Sequence, residues 1–158
     1  MIISNTSPLI AFGKQGRIDI LLKYGKTIII PEAVFAEIVN KGDTPEALAL
    51  IEFLKNKSII VEKIRVHQLL LTSKIEQAEK EAISLAHQYR CTLIMDDATA
   101  RKYAALLKVE TKGSLSILLK ATPKTITKNE AKSILNEMIS NGFYVSTDVY
   151  GECLEQLK

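Results

Sequence analysis

Four short apolar runs constrain this chain most, each bounded by polar or turn residues and followed by a stretch with helical spacing. They are Met1-Ile2-Ile3-Ser4, Thr27-Ile28-Ile29-Ile30, Ser58 to Glu62, and Thr92-Leu93-Ile94-Met95. Runs this brief, apolar at successive positions and rich in β-branched residues, predict strands buried on both faces, as in a parallel sheet. Helices are expected between them. Thr6 or Ser7 can cap one, with Pro8 at a tolerated first-turn position, ending near Gly13 to Gly16. Residues 18–22 suggest a further turn or two, and Pro31 opens a helix that Gly42 stops. Thr44-Pro45-Glu46 opens another, and residues 75–89 carry a strong helical pattern. Asp96-Asp97 leads into a helix through Leu107, Glu110-Thr111 suggests a short edge strand, and helices follow near 114–121, 129–140 and 147–157. Strands alternating with helices predict an α/β/α sandwich on a parallel sheet, with additional C-terminal helices.

The 158 residues fit one ordinary domain, and no repeat, linker or low-complexity tract interrupts them. Cys91 and Cys153 are too few and too distant for a disulfide framework or a cysteine-based zinc site, and His67 and His87 read as incidental. No apolar run approaches the roughly 18 residues of a membrane span, and the opening residues lack the pattern of a signal peptide. A soluble, cytoplasmic protein is the expectation.

The net charge of +3 is unevenly distributed. Between Arg101 and Lys132 there are eight basic residues and two acids, a segment of +6 that leaves the remainder at −3. A basic segment beside an acidic remainder fits a polyanionic partner and a separate carboxylate site; a solvated helix surface is the plainer explanation.

In an open parallel sheet, functional side chains gather at the carboxyl ends of strands. Asn5, Thr6 and Ser7 follow the first strand, and Asp96 and Asp97 follow the run at 92–95. Glu79 shares a helical stripe with Ala82, Ile83 and Ala86, and Glu37 lies beside Ala33, Val34 and Ile38. A carboxylate on an apolar stripe is costly to bury unless it is paired or binds a cation. Each also has a structural explanation: Glu37 and Glu79 can favour helix dipoles or pair with lysines, Asp96 and Asp97 can cap the helix at Ala98, and Ser7 is a natural cap. Glu81 points elsewhere by helical geometry, toward solvent. Arg101 is a surface ion pair or a phosphate contact.

Met1 to Ile10 resembles the opening strand and turn of a PIN domain. Pro31-Glu-Ala-Val-Phe-Ala-Glu-Ile38 resembles that family's second acidic motif, and Glu79-Lys-Glu-Ala-Ile-Ser-Leu-Ala86 with Leu93-Ile-Met-Asp-Asp97 its third and fourth. Lys112-Gly113-Ser-Leu115 and Asn141-Gly-Phe-Tyr-Val-Ser146 resemble a PIN-like subgroup of bacteria and archaea. The likeness covers essentially the whole chain. It implies a metal-dependent ribonuclease related to VapC-like toxins, in which carboxylates hold Mg²⁺ or Mn²⁺ over an RNA phosphodiester. The matching positions are Asn5, Glu37, Glu79 and Asp97, with Asp96 the alternate, and Ser7 matches a hydroxyl that helps order the site together with Thr6. Arg101 and Lys102 become candidate RNA contacts. A small antitoxin is the implied protein partner, and relatives of this kind often form homodimers.

Mg²⁺ prefers oxygen ligands and keeps several waters, so a loose ring of carboxylates suits it. Asn5 departs from the pattern, which has Asp there. An amide oxygen coordinates Mg²⁺ without bringing charge, so weaker metal binding and reduced activity are expected. The same substitution supports a second reading, a PIN-like module of little or no activity that binds RNA or a protein. A phospho-acceptor receiver also clusters acids at strand ends, but the expected lysine arrangement is missing.

Overall fold

The computed structural model describes all 158 residues. Five strands, β1 (Ile2–Ser4), β2 (Ile28–Pro31), β3 (Ile59–Glu62), β4 (Leu93–Ile94) and β5 (Thr111–Lys112), form one sheet in the order β3-β2-β1-β4-β5. Every neighbouring pair is parallel, with Ile2 opposite Ile28 and Ile3 opposite both Ile29 and Leu93. The chain steps outward from β1 to β2 and β3, then returns to the far side of β1 for β4 and β5. The switch in direction falls between β1 and β4.

Strand periodicity divides the core in two. Ile2, Ile28, Ile30, Ile59 and Ile94 point into one cluster of 25 buried residues, while Ile3, Ile29, Leu93 and Met95 point into another of 14. Side chains on alternate faces explain why the strands read as continuous apolar runs: both faces are covered. The larger cluster takes the apolar faces of α1 (Thr6–Gly13), α2 (Asp19–Tyr24), α3 (Glu32–Val39) and α4 (Pro45–Lys55). It also takes those of α7 (Ser114–Ala121), α8 (Lys128–Ser140) and α9 (Thr147–Gln156). The smaller cluster is covered by α5 (Gln77–Tyr89) and α6 (Ala98–Leu106). No helix is long and apolar enough to cross a membrane.

The expected elements are present, with shifted boundaries. The strand expected over 92–95 is reduced to Leu93–Ile94, although the Met95 N–H still donates to the Lys112 carbonyl at 2.9 Å. The helix expected from residue 75 begins at Gln77, because Glu76 and Glu79 form a reciprocal capping box there. The larger correction is at α1. Neither Thr6 nor Ser7 caps it: Asn5 occupies the cap position without a side-chain capping bond, and both hydroxyls are directed to acids on other elements.

Candidate active site

The carboxyl ends of β1, β4 and β5 open onto a cleft of about 1020 Å³. Asn5, Ser7, Glu79, Asp96 and Asp97 line one part, Arg101, Thr111 and Lys112 another, and residues 142–146 close a third. A hollow of about 210 Å³ adjoins it, lined by Asn5, Thr6, Ser7, Glu37, Glu76 and Glu79 among others. Asn5 and Glu79 therefore face both spaces, with Asp97 on one side and Glu37 on the other. The parallel sheet produces this directly, since a helix follows each strand and the first residues of each connection collect at one edge.

Asn5 is held by its backbone, its N–H donating to the Ile94 carbonyl at 3.0 Å across the β1–β4 switch point. The residue is only 5 % exposed, and its buried Oδ1 has no hydrogen-bond partner. A buried carbonyl oxygen without a donor costs about 1–3 kcal/mol, so this atom is poised for a ligand. Thr6 next to it donates its hydroxyl to Glu37 Oε2, which fixes the acid of α3 toward β1.

Asp96 and Asp97 differ in surroundings. Asp96 is half-buried and accepts three hydrogen bonds: from Ser7 Oγ at 3.0 Å, Ser114 Oγ at 2.6 Å and the Ser114 backbone N–H at 2.7 Å. It ties β4 to α1 and α7. Asp97 is exposed and caps α6, its Oδ1 accepting from the Ala100 N–H at 2.7 Å, which leaves Oδ2 unbonded. Glu79 accepts from the Glu76 N–H at 3.0 Å. Burial pushes its carboxyl above the usual carboxylate range, the Glu76 N–H pulls it back, and the charges of Asp97, Glu76 and Glu37 push it further up. These acids thus sense one another without being paired to any lysine. The Glu37–lysine and Glu79–lysine pairs considered from sequence do not form.

One further expectation is corrected. Glu81 is half-buried rather than directed to solvent, and its Oε2 accepts from the Ala33 N–H at 3.0 Å, satisfying a free donor in the first turn of α3. The cations of the basic segment are dispersed over the fold. Of its eight cations, Arg101 and Lys112 line the cleft, Lys102 does not, Lys108 lies at the opposite end of the sheet, and Lys120 stacks on the Tyr24 ring. Arg101 Nε donates to Thr111 Oγ1 at 3.1 Å, and Lys112 pairs with Glu110 at 2.9 Å.

Ser114 was not singled out from the sequence, yet it is fully buried and makes two of the three bonds to Asp96. The signal available was positional: Gly113-Ser114 follows β5 as Asn5 follows β1. Gly113 packs close by, where a Cβ would lie 3.4 Å from Asp96 Oδ1.

The donor set consists of hard oxygens, with no histidine or cysteine among them. No group of three or more His, Cys, Asp or Glu side chains converges closely enough to hold a metal by itself. A hard divalent cation that keeps waters and substrate phosphate among its ligands needs only one or two carboxylates from the protein. The unpartnered Asn5 Oδ1 and the mutually repelling Glu79 and Asp97 fit a divalent cation.

Among solved structures, the chain is similar to a PilT N-terminus domain protein from the hyperthermophilic archaeon Sulfolobus solfataricus P2. The identity is 20 %, covering 78 % of this chain and 95 % of that one, with a TM-score of 0.56. It is also similar to a domain of a functionally unknown protein from Methanocaldococcus jannaschii, at 24 % identity over 71 % of this chain and 89 % of that one, with a TM-score of 0.44. No curated protein matches. A family model described as a PIN domain matches residues 1–158, the full span over which the acids, the switch point and the C-terminal helices have been traced. The chain therefore belongs to the PIN domain family, whose members are generally nucleases.

Proposed function

We propose that this protein is a Mg²⁺- or Mn²⁺-dependent endoribonuclease and the toxin component of a toxin–antitoxin pair, acting in the cytoplasm. The observation that carries the reading is the unpartnered Asn5 Oδ1 at the β1–β4 switch point, flanked by Glu79, with Glu37 and Asp97 on either side. Of Asn5, Glu37, Glu79 and Asp97, one or two carboxylates would hold the metal directly and the rest through its waters, with Asp96 in reserve. Bound there, the ion would supply charge neutralisation at the scissile phosphate and a lowered pKa for the attacking water. Thr6 keeps Glu37 turned toward the site, Ser7 and Ser114 hold Asp96, and Arg101 and Lys112 fix the RNA backbone without reading its sequence. A small antitoxin would cover the same cleft, and a homodimer is the proposed assembly.

The test is titration of the protein with Mn²⁺ by calorimetry. Saturable binding that is lost in Glu37→Ala and in Asp97→Ala supports the reading. Binding unchanged in both variants contradicts it. The amide at position 5 favours a second reading, a weakened module that binds RNA or a protein partner without cleaving. RNA binding indifferent to metal would be its mark.

A further inference from the structure

An aromatic ring stands uncovered at the cleft. Tyr144 is 85 % exposed, the most exposed of the chain's large apolar side chains, and it lines the same cleft as Asp97, Arg101 and Lys112. Its support is firm on both sides. The neighbouring Phe143 packs against the larger core cluster, and its N–H donates to the Met138 carbonyl at 2.9 Å. Gly142 takes the left-handed conformation that lets the chain leave α8, and Lys14 Nζ donates to the Asn141 carbonyl at 3.2 Å. On the other side Ser146 caps α9. A ring on a short connection between two helices, pinned at both ends, loses little freedom when something is laid on it.

We propose that Tyr144 is a stacking platform for an unpaired nucleobase of single-stranded RNA, with Arg101 and Lys112 holding the backbone across the cleft. The inference rests on the RNA reading above and adds the residue that would seat an open base face beside the acids. Base–aromatic stacking needs no particular base, and duplex RNA keeps its base faces covered by their neighbours. Arg101 and Lys112 supply positive charge on this side of the cleft for the phosphates that flank the stacked base.

The chain contains no tryptophan, so Tyr144→Trp places the only indole at the cleft. An oligouridylate of about eight nucleotides, an abasic oligomer of the same backbone and an RNA duplex serve as probes, each in EDTA and again in Ca²⁺. Tyr144→Ala is expected to weaken oligouridylate binding about 5- to 100-fold, while Tyr144→Phe and Tyr144→Trp retain it. The abasic oligomer should bind wild type and Tyr144→Ala alike, the duplex should bind more weakly than the single strand, and oligouridylate should quench the indole. Unchanged oligouridylate affinity in Tyr144→Ala overturns the proposal, and is also the result expected if the ring seats a protein partner. If that affinity falls in Arg101→Ala and Lys112→Ala alone, the proposal fails while the RNA reading stands. If wild type binds no RNA in either condition, the RNA reading itself fails and takes the proposal with it.

Discussion

Ser114 donates both its hydroxyl and its backbone N–H to Asp96, at 2.6 and 2.7 Å, and so joins the start of α7 to the end of β4. Ser114 is fully buried, so its substitution removes a donor from inside the fold. Hydrogen bonds to a charged group contribute about 1.5–3 kcal/mol. Ser114→Ala is expected to lower unfolding stability by that amount in chemical denaturation, whereas Ser7→Ala, at the longer 3.0 Å contact, costs less.

Glu79 and Glu81 are two residues apart and differ in role. The Glu81 carboxylate satisfies the Ala33 N–H across 48 residues of sequence, so Glu81→Ala is expected to cost about 1 kcal/mol of stability and to keep metal binding. Glu79→Ala is expected to lose metal binding. Thermal unfolding and Mn²⁺ titration of both variants check the contrast.

The raised pKa of Glu79 has a sign that can be tested on metal-free protein. A carboxyl whose folded pKa lies above its unfolded value is favoured in its neutral form. Its stabilising contribution is therefore complete below the unfolded pKa and disappears as pH rises through the folded one. In EDTA, wild-type stability relative to Glu79→Gln is expected to fall as pH climbs from acid toward neutral. A difference independent of pH would contradict the assignment.

Asn5→Asp would place a carboxylate at a position 5 % exposed and beside Glu79. Without metal, like charges and burial make this destabilising. With Mn²⁺ the same charge becomes a ligand, and affinity is expected to rise about tenfold, equivalent to about 1.4 kcal/mol. Melting curves of both proteins with EDTA and with Mn²⁺ read the crossover.

The parallel sheet was legible in sequence because strands covered on both faces leave continuous apolar runs, as at Ile28-Ile29-Ile30. The gathering of Asn5 and Asp97 was legible too, since Asn5 directly follows β1 and Asp97 lies three residues beyond the end of β4. What local pattern could not reveal were partners distant in sequence. Ser7 looked like a helix cap because a cap is a local matter, and its bond to Asp96 spans 89 residues. Glu81 looked solvent-facing because helical geometry treats α5 alone, without α3 packed against it. The basic segment was legible as a run of charge but not as a place in the fold: of its cations, Arg101 and Lys112 line the cleft.

The central claim is metal-dependent cleavage of RNA at the Asn5–Glu79–Asp97 edge. Its most direct measurement is cleavage of a mixed RNA substrate by the partner-free protein with Mn²⁺ or Mg²⁺ against EDTA, with Asp97→Ala as the control. Cleavage that requires the metal and disappears in Asp97→Ala is the predicted result. A folded protein that leaves the RNA intact in both metals, or cleaves it equally well after Asp97→Ala, would contradict the account.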